Sequence, residues 1–192
     1  RRGHQQRFRR IANHWVGLQQ KVERNEVDFG IGSVWQTSKL LKFTPLFSDN
    51  LDLVFHKDHD LAQSQEPISW SALSNEIFLD SGITKNMRSR LLLGPSKFDF
   101  PSITTLLAML RSNLGVSVLP SLAIPQSSGE LRSRPLLPME KRDICMITRH
   151  DWTLSPAAEA MIDTIIKEMP AQIEQLNLSP PSGLIPESGY QL

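Results

Sequence analysis

The stretch SITTLLAMLRSNLGVSVLP, residues 102 to 120, decides the fold class. Ser102 suits a helix N-cap, because its hydroxyl can accept a hydrogen bond from a first-turn N–H. Ile103, Leu106, Leu107, Leu110 and Leu114 then fall at spacings of 3, 1, 3 and 4, the stripe of a helix face turned to a core. Gly115 is placed to end the helix as a left-handed C′ residue. Val116 to Leu119 reads as a buried strand, stopped by Pro120. A helix feeding directly into an apolar strand is the repeating unit of an α/β protein.

The same alternation extends outward in both directions. Asn13 is a plausible N-cap for a helix with Trp15, Leu18, Gln19 and Val22 on one face. Val27 to Ile31, Leu51 to Phe55, Ile77 to Leu79 and Asp143 to Ile147 are short apolar runs that read as strands. Phe43 to Leu46 is extended, since Pro45 disfavours a helix there. Ile68 to Leu73 reads as a short helical turn and Ile83 to Leu93 as a helix. Ser155 and Pro156 form a strong helix start. That helix carries Met161, Ile162, Ile165, Ile166 and Met169 on its apolar face, with Pro170 as its expected stop. The expected sheet is mostly parallel, with helices packed on it.

Composition narrows the function classes. The chain has 192 residues, 40% hydrophobic and 21% charged, enough to bury a core and too apolar for a wholly disordered chain. Lys and Arg total 21 against 20 Asp and Glu, a net charge of +1, so charge gives no global case for nucleic acid or an anionic membrane. Five arginines crowd residues 1 to 10, but no reading helix, zinc pattern or aromatic platform accompanies them. The start is not a secretory signal peptide, and the apolar runs are far too short for a membrane span. One cysteine, Cys145, excludes an internal disulfide; mid-strand between Ile144 and Met146, it reads as a small buried hydrophobe. Residues 170 to 192 hold no basic residue and four prolines, and read as a disordered tail.

Catalytic motifs are missing. There is no Ser-x-x-Lys and no Gly-x-Ser-x-Gly. Gly30 and Gly32 lack the third glycine of a dinucleotide fingerprint, because Trp35 stands there. His56 and His59, with Asp58 and Asp60, read as a solvated loop rather than a metal site. The expectation is therefore no catalytic residue, no metal and no cofactor. Three strand-to-helix junctions are more informative: residues 11 to 13, 79 to 82 and 100 to 103. Each puts a small polar residue at a helix start, where free backbone N–H groups can hold an anion. Ordinary capping accounts for any one of them equally well. Convergence of the three would favour a ligand site at Asn13, Ser81, Gly82, Ser102 and Ile103. Ser102 is the leading candidate, since a hydroxyl can accept from its helix and donate to a ligand together.

These segments in this order resemble a known family. Residues 22 to 31, VERNEVDFGI, resemble the "V-x-x-G-x-hydrophobic-D-hydrophobic-G-I" signature of LysR-type transcriptional regulators, with Asn25 in place of the usual glycine. Residues 45 to 54, PLFSDNLDLV, followed by KDHDLA at 57 to 62, resemble the family's crossover strand and its "D-H-P-L-A" segment, with Asp60 in place of proline. TLLAML at 105 to 110 and NLGVSVLP at 113 to 120 resemble its "V-x-A-G-x-G" segment and the strand that follows, with Ser112 and Asn113 near the usual Ala-Gly. LSPAA at 154 to 158 is similar to the start of its last helix.

The resemblance implies an α/β, two-lobed effector-binding domain like the type 2 periplasmic binding proteins. It also implies a first lobe incomplete at its N-terminus, lacking a strand and helix that carry a ligand-contacting Ser/Thr loop. Residues 1–43 and 132–169 would form that lobe, 44–131 the second, and 170–192 a flexible tail. A small-molecule effector, anionic if the helix starts hold it, would sit between the lobes. DNA would be read by an N-terminal helix-turn-helix outside this chain. A homo-oligomer, a cytoplasmic location and no membrane contact are implied as well. The alternative is a free-standing solute-binding protein of the same architecture, which an exported leader upstream would distinguish from a regulator.

Overall fold

The computed structural model describes residues 15–34, 37–81, 84, 98–125, 129–176 and 178–181. In chain order the elements are α1 (Trp15–Glu23), β1 (Gly30–Ser33), β2 (Leu41–His56), β3 (Ile68–Ser69), β4 (Leu79–Ser81), β5 (Phe98–Phe100), α2 (Ile103–Arg111), β6 (Ser117–Pro120), β7 (Leu131–Leu137), β8 (Lys141–Arg149) and α3 (Pro156–Gln175). Short 3-10 turns cover Asp60–Gln63, Trp70–Asn75 and Ser121–Ala123. The fold is mixed α/β. The chain packs as two units, one ending at Ser48 and resuming at Asp143, the other running from Asp49 to Arg142. Both passages between the units lie inside strands, β2 and β8.

In the first unit the strand order is β1-β8-β2. Gly30 to Ser33 pair antiparallel with Ile147 to Ile144. On one side, Leu18 and Val22 of α1 pack with Leu41 and Ile147, joined by Val27 and Phe43. On the other, Leu46, Phe47, Ile144 and Met146 receive Phe29 and the α3 residues Ile162, Ile165, Met169 and Ile173. Cys145 is fully buried in β8. Burial and the neighbouring Asp143 push its thiol pKa up to about 11, so the expected inert hydrophobe is what the structure holds.

In the second unit β2 is the central strand. Leu51 to Val54 pair antiparallel with Pro120 to Ser117 of β6, and Asp52 to His56 with Pro135 to Leu131 of β7. Side chains alternate across a strand. Leu51, Leu53 and Phe55 enter a core with Trp70, Leu73, Val116 and Leu136, while Val54 enters the opposite one with Leu79, Leu106, Leu110 and Leu119. Burial on both faces explains the near-continuous apolar run that marks this segment. Trp70 closes one side, its indole Nε1 donating to the Pro138 carbonyl at 2.8 Å.

Several expectations need correcting. The sheet is not mostly parallel: among the described residues β1–β8, β2–β6 and β2–β7 are antiparallel, while β3–β7, β4–β5 and a Phe78–Val116 bridge are parallel. Alternation of strands and helices counts elements but misses a long strand running opposite to its neighbours. Leu51 to Phe55 and Phe43 to Leu46 are parts of that one strand. The first strand is shifted to Gly30–Ser33, with Ile31 facing outward.

Ile103 and Leu114 are 43% and 40% exposed. The buried face of α2 is carried by Leu106 and Leu110, and Leu114 lies beyond the helix, which ends at Arg111. Gly115 is not its C′ residue. Asn113 takes that place with φ 53°. Its N–H donates to the Leu110 carbonyl at 3.0 Å, and Leu114 donates to Met109 at 3.2 Å, the hydrogen-bond pair of a Schellman end. Gly115 is needed for a different reason: a Cβ there would stand 2.1 Å from the Ile77 carbonyl oxygen.

Pro170 does not stop α3. The helix runs to Gln175, because Met169 and Ile173 pack on either side of the proline in the same core. That packing outweighs a penalty of about 3 kcal/mol for an interior proline. The chain after Pro170 is accordingly not all tail: Ser179 bridges to Ser48 of β2. The expected helix from Ile83 to Leu93 lies outside the described residues except for Thr84.

Two measurements check this description. In urea unfolding, Asn113→Gly should hold stability, while Asn113→Val should lose about 1–2 kcal/mol because a β-branched residue is strained at positive φ. Gly115→Ala should lose more than either, since backbone must move. Separately, the Cys145 thiol should react with Ellman's reagent only as the protein unfolds. Rapid labelling of the native chain would contradict its burial.

Candidate functional site

Parallel strands β4 and β5 end side by side, with Ser81 in register with Phe100. Two residues beyond Phe100, Ser102 opens α2. Three described candidates, Ser81, Ser102 and Ile103, are therefore grouped at the carboxyl ends of one parallel pair, where α/β sheets bind ligands. Asn13 and Gly82 lie outside the described residues.

The two serines are chemically different. Ser81 is buried in a hydrogen-bonded knot with Asp80 and Thr84, both also buried. The Ser81 N–H donates to Asp80 Oδ1 at 3.1 Å and lies 3.0 Å from Thr84 Oγ1. The two hydroxyls are 3.1 Å apart, the Thr84 N–H donates to Ser81 Oγ at 3.3 Å, and the Thr84 hydroxyl donates to the Asp80 carboxylate. These bonds already employ Ser81's polar groups, so it fixes the strand end in place. Asp80 and Thr84 were not among the candidates. The signal for them was present in the spacing, since Asp and Thr side chains bond local backbone in such turns.

Ser102 is exposed. Its hydroxyl accepts from the Thr105 N–H at 3.5 Å, as an N-cap should. That bond uses an acceptor lone pair and leaves the hydroxyl proton to donate. Ile103 is the first helical residue, so its contribution is a backbone N–H rather than an apolar contact. The site can thus present a hydroxyl donor and first-turn N–H groups on a rigid support, a set suited to an acceptor group such as a carboxylate.

Other polar clusters do local work. His56 Nδ1 accepts from the Asp58 N–H at 3.2 Å, and His59 Nδ1 from the Leu61 N–H at 3.3 Å. His59 Nε2 also stands 3.5 Å from Glu76. These imidazoles cap their own loop. Among the described residues, no group of three or more His, Cys, Asp and Glu side chains is arranged to hold a metal ion. No helix there is long and apolar enough to cross a membrane. Asp52 is pushed above the usual carboxylate range by burial, an effect opposed by its Ser121 hydrogen bond and reinforced by Asp49.

Comparison with known proteins identifies the family. Residues 2–170 match the LysR substrate binding domain. An uncharacterized HTH-type transcriptional regulator of Escherichia coli, YbhD, is 32% identical over 154 residues, which cover 74% of this chain and 48% of that protein. The chain spans about half the length of the curated relatives it matches. Among solved structures, the effector binding domain of QuiR in complex with shikimate superposes with a TM-score of 0.70 at 16% identity, covering 81% of this chain and 78% of that one. The CcmR regulatory domain of Synechocystis in complex with 2-PG gives 0.69 at 19% identity, covering 80% and 78%. The mixed α/β architecture is the one these effector domains share, and the chain belongs to the LysR substrate-binding domain family.

Proposed function

We propose that this chain is the effector-sensing domain of a DNA-binding transcriptional regulator and acts by binding rather than by catalysis. The observation that carries this reading is the family match over residues 2–170, with relatives named as HTH-type regulators of which the match covers about half. DNA would be read by a helix-turn-helix in the parent protein, which works in the cytoplasm as a homo-oligomer. The effector is a small, anionic molecule. Its acceptor group meets the Ser102 hydroxyl and the N–H groups at the start of α2, with Ser81 closing the adjoining strand. Gly82 and Asn13, which lie outside the described residues, belong to the same proposal.

The mechanism is a population shift. An effector moves the equilibrium between two conformations only by its difference in affinity for them. A rigid support favours such a difference, because the Asp80–Ser81–Thr84 knot leaves little local freedom to absorb the ligand's pull.

A thermal-shift panel of small organic acids, begun with shikimate and 2-PG, tests the reading: a true effector raises the midpoint by mass action. With a binder found, Ser102→Ala should cost about 1 kcal/mol of helix capping and also weaken calorimetric affinity. Lowered stability with unchanged affinity would make Ser102 a structural cap only. Thr84→Val should cost about 1–3 kcal/mol by removing one hydrogen-bond donor from the buried Asp80 carboxylate. In gel shifts, this chain by itself should bind the parent's operator no better than random DNA, as its balanced charge predicts. A specific, salt-resistant shift would contradict that.

A further inference from the structure

The loop that follows β2, from Lys57 to Ser64, lies wholly within the second unit and carries two histidines at its start. Its sequence suggests a solvated loop, yet the His56 and His59 side chains are only 12% and 17% exposed. In both rings Nδ1 accepts a backbone N–H two residues on. Asp58 donates to His56 at 3.2 Å, and Leu61 to His59 at 3.3 Å. A carboxylate also stands beside each ring. Asp58 Oδ2 lies 3.6 Å from His56 Nδ1, and Glu76 Oε2 lies 3.5 Å from His59 Nε2. Each imidazole therefore has a partner in place for either charge state: a donor for the neutral ring and a carboxylate for the imidazolium.

The two partners exclude each other. Neutral imidazole has one acceptor nitrogen, whereas both nitrogens of the imidazolium are donors. A protonated Nδ1 would face the N–H of Asp58 or Leu61 donor to donor, so both backbone bonds are lost and the rings turn to the carboxylates. Histidine is the side chain whose ordinary titration falls between about pH 5 and pH 8. The charged groups around the rings are Lys57, Asp58 and Asp60 of the loop, Glu76 after the Trp70–Asn75 turn, and Glu130, Arg132 and Arg134 at and before β7. Asp58 is held below the usual carboxylate range, first by its Lys57 hydrogen bond, against desolvation, and then by the charges of Lys57, His56 and Arg132. Those cations compete with His56 for Asp58, which makes His59, facing Glu76, the leading member of the pair.

We propose that His56 and His59 form a pH-sensitive latch: neutral, they hold the N–H groups of Asp58 and Leu61, and protonated, they release them and loosen the loop. The loosening is confined, because the other ties do not use an imidazole. Lys57 donates to the Glu130 carbonyl at 2.7 Å, and Ala62 to the His59 carbonyl at 2.8 Å. Arg134 Nη1 donates to the carbonyls of Leu61 and Ser64 at 2.6 and 2.9 Å. Leu61 packs against the core of this unit, so freeing its N–H weakens one edge of that packing. The latch is independent of the effector site.

Nuclear magnetic resonance on the 192-residue chain tests it. Amide exchange of Asp58 and Leu61, corrected for its intrinsic pH dependence, is followed from about pH 8 down to about pH 5.5. Their opening should rise roughly five- to tenfold relative to core amides such as Leu53, the size expected for one lost hydrogen bond. The response should vanish in His56→Asn/His59→Asn, since the asparagine Oδ1 replaces Nδ1 as an acceptor and does not titrate. A response that persists in the folded double variant overturns the latch. So does a flat response in the unaltered chain, or ring nitrogen shifts that put the proton of neutral His59 on Nδ1. Should the double variant fail to fold, His59→Asn alone decides through Leu61: a lost response supports the latch and a retained one overturns it. The pH series and ring shifts of the unaltered chain stand whether or not either variant folds.

Discussion

One strand has to serve two cores. The 16 residues of β2 place Leu41, Phe43, Leu46 and Phe47 in the first unit's clusters and Leu51, Leu53, Val54 and Phe55 in the second's. Each side chain must face the correct side of the sheet in both. Because a strand repeats every two residues, the alignment sets which core each side chain of Leu51 to Phe55 enters. The antiparallel ladders to β6 and β7, and the neighbouring position of β8, all depend on it.

The helix ends show how the chain meets backbone requirements without glycine. Asn25 follows α1 and Asn113 follows α2, with φ 55° and 53°. Each closes its helix with a matching bond pair: Asn25 to Val22 at 3.1 Å and Glu26 to Lys21 at 2.8 Å repeat the pattern at Asn113 and Leu114. Asparagine is among the few residues that adopt this conformation at modest cost. Asn25 stands where the family pattern has glycine, and Asn113 lies near its Ala-Gly pair, so the departures keep the geometry while changing the residue. Gly115 has no such substitute, because its constraint is the approach of the Ile77 carbonyl rather than a backbone angle.

Local signals with a single physical cause were legible. Ser102 and Ser155 cap the helices their spacing announced, and Val116 to Pro120 is the strand its apolar run suggested. Long-range causes were not. Pro170 reads as a stop because its missing N–H is a local fact, whereas the core contacts of Met169 and Ile173 that carry the helix past it are tertiary. Leu114 is exposed because α2 ends before it, at a turn set by Asn113 rather than by the glycine two residues on. At the candidate site, spacing picked out Ser81 and Ser102 but could not tell a serine locked in a knot from one with its proton free. The partners that make the difference, Asp80 and Thr84, flank Ser81 in the sequence, and only the fold buries them together.

Amide hydrogen exchange along β2 tests the two-core account most directly. If one strand serves two separately packed units, protection should change at the boundary. Residues 41 to 47 should open together with α1 and β8, and residues 51 to 55 with β6 and β7, as two cooperative groups with distinct opening free energies. A single uniform opening free energy across all 16 residues of β2, unbroken at Ser48 and Asp49, would contradict it.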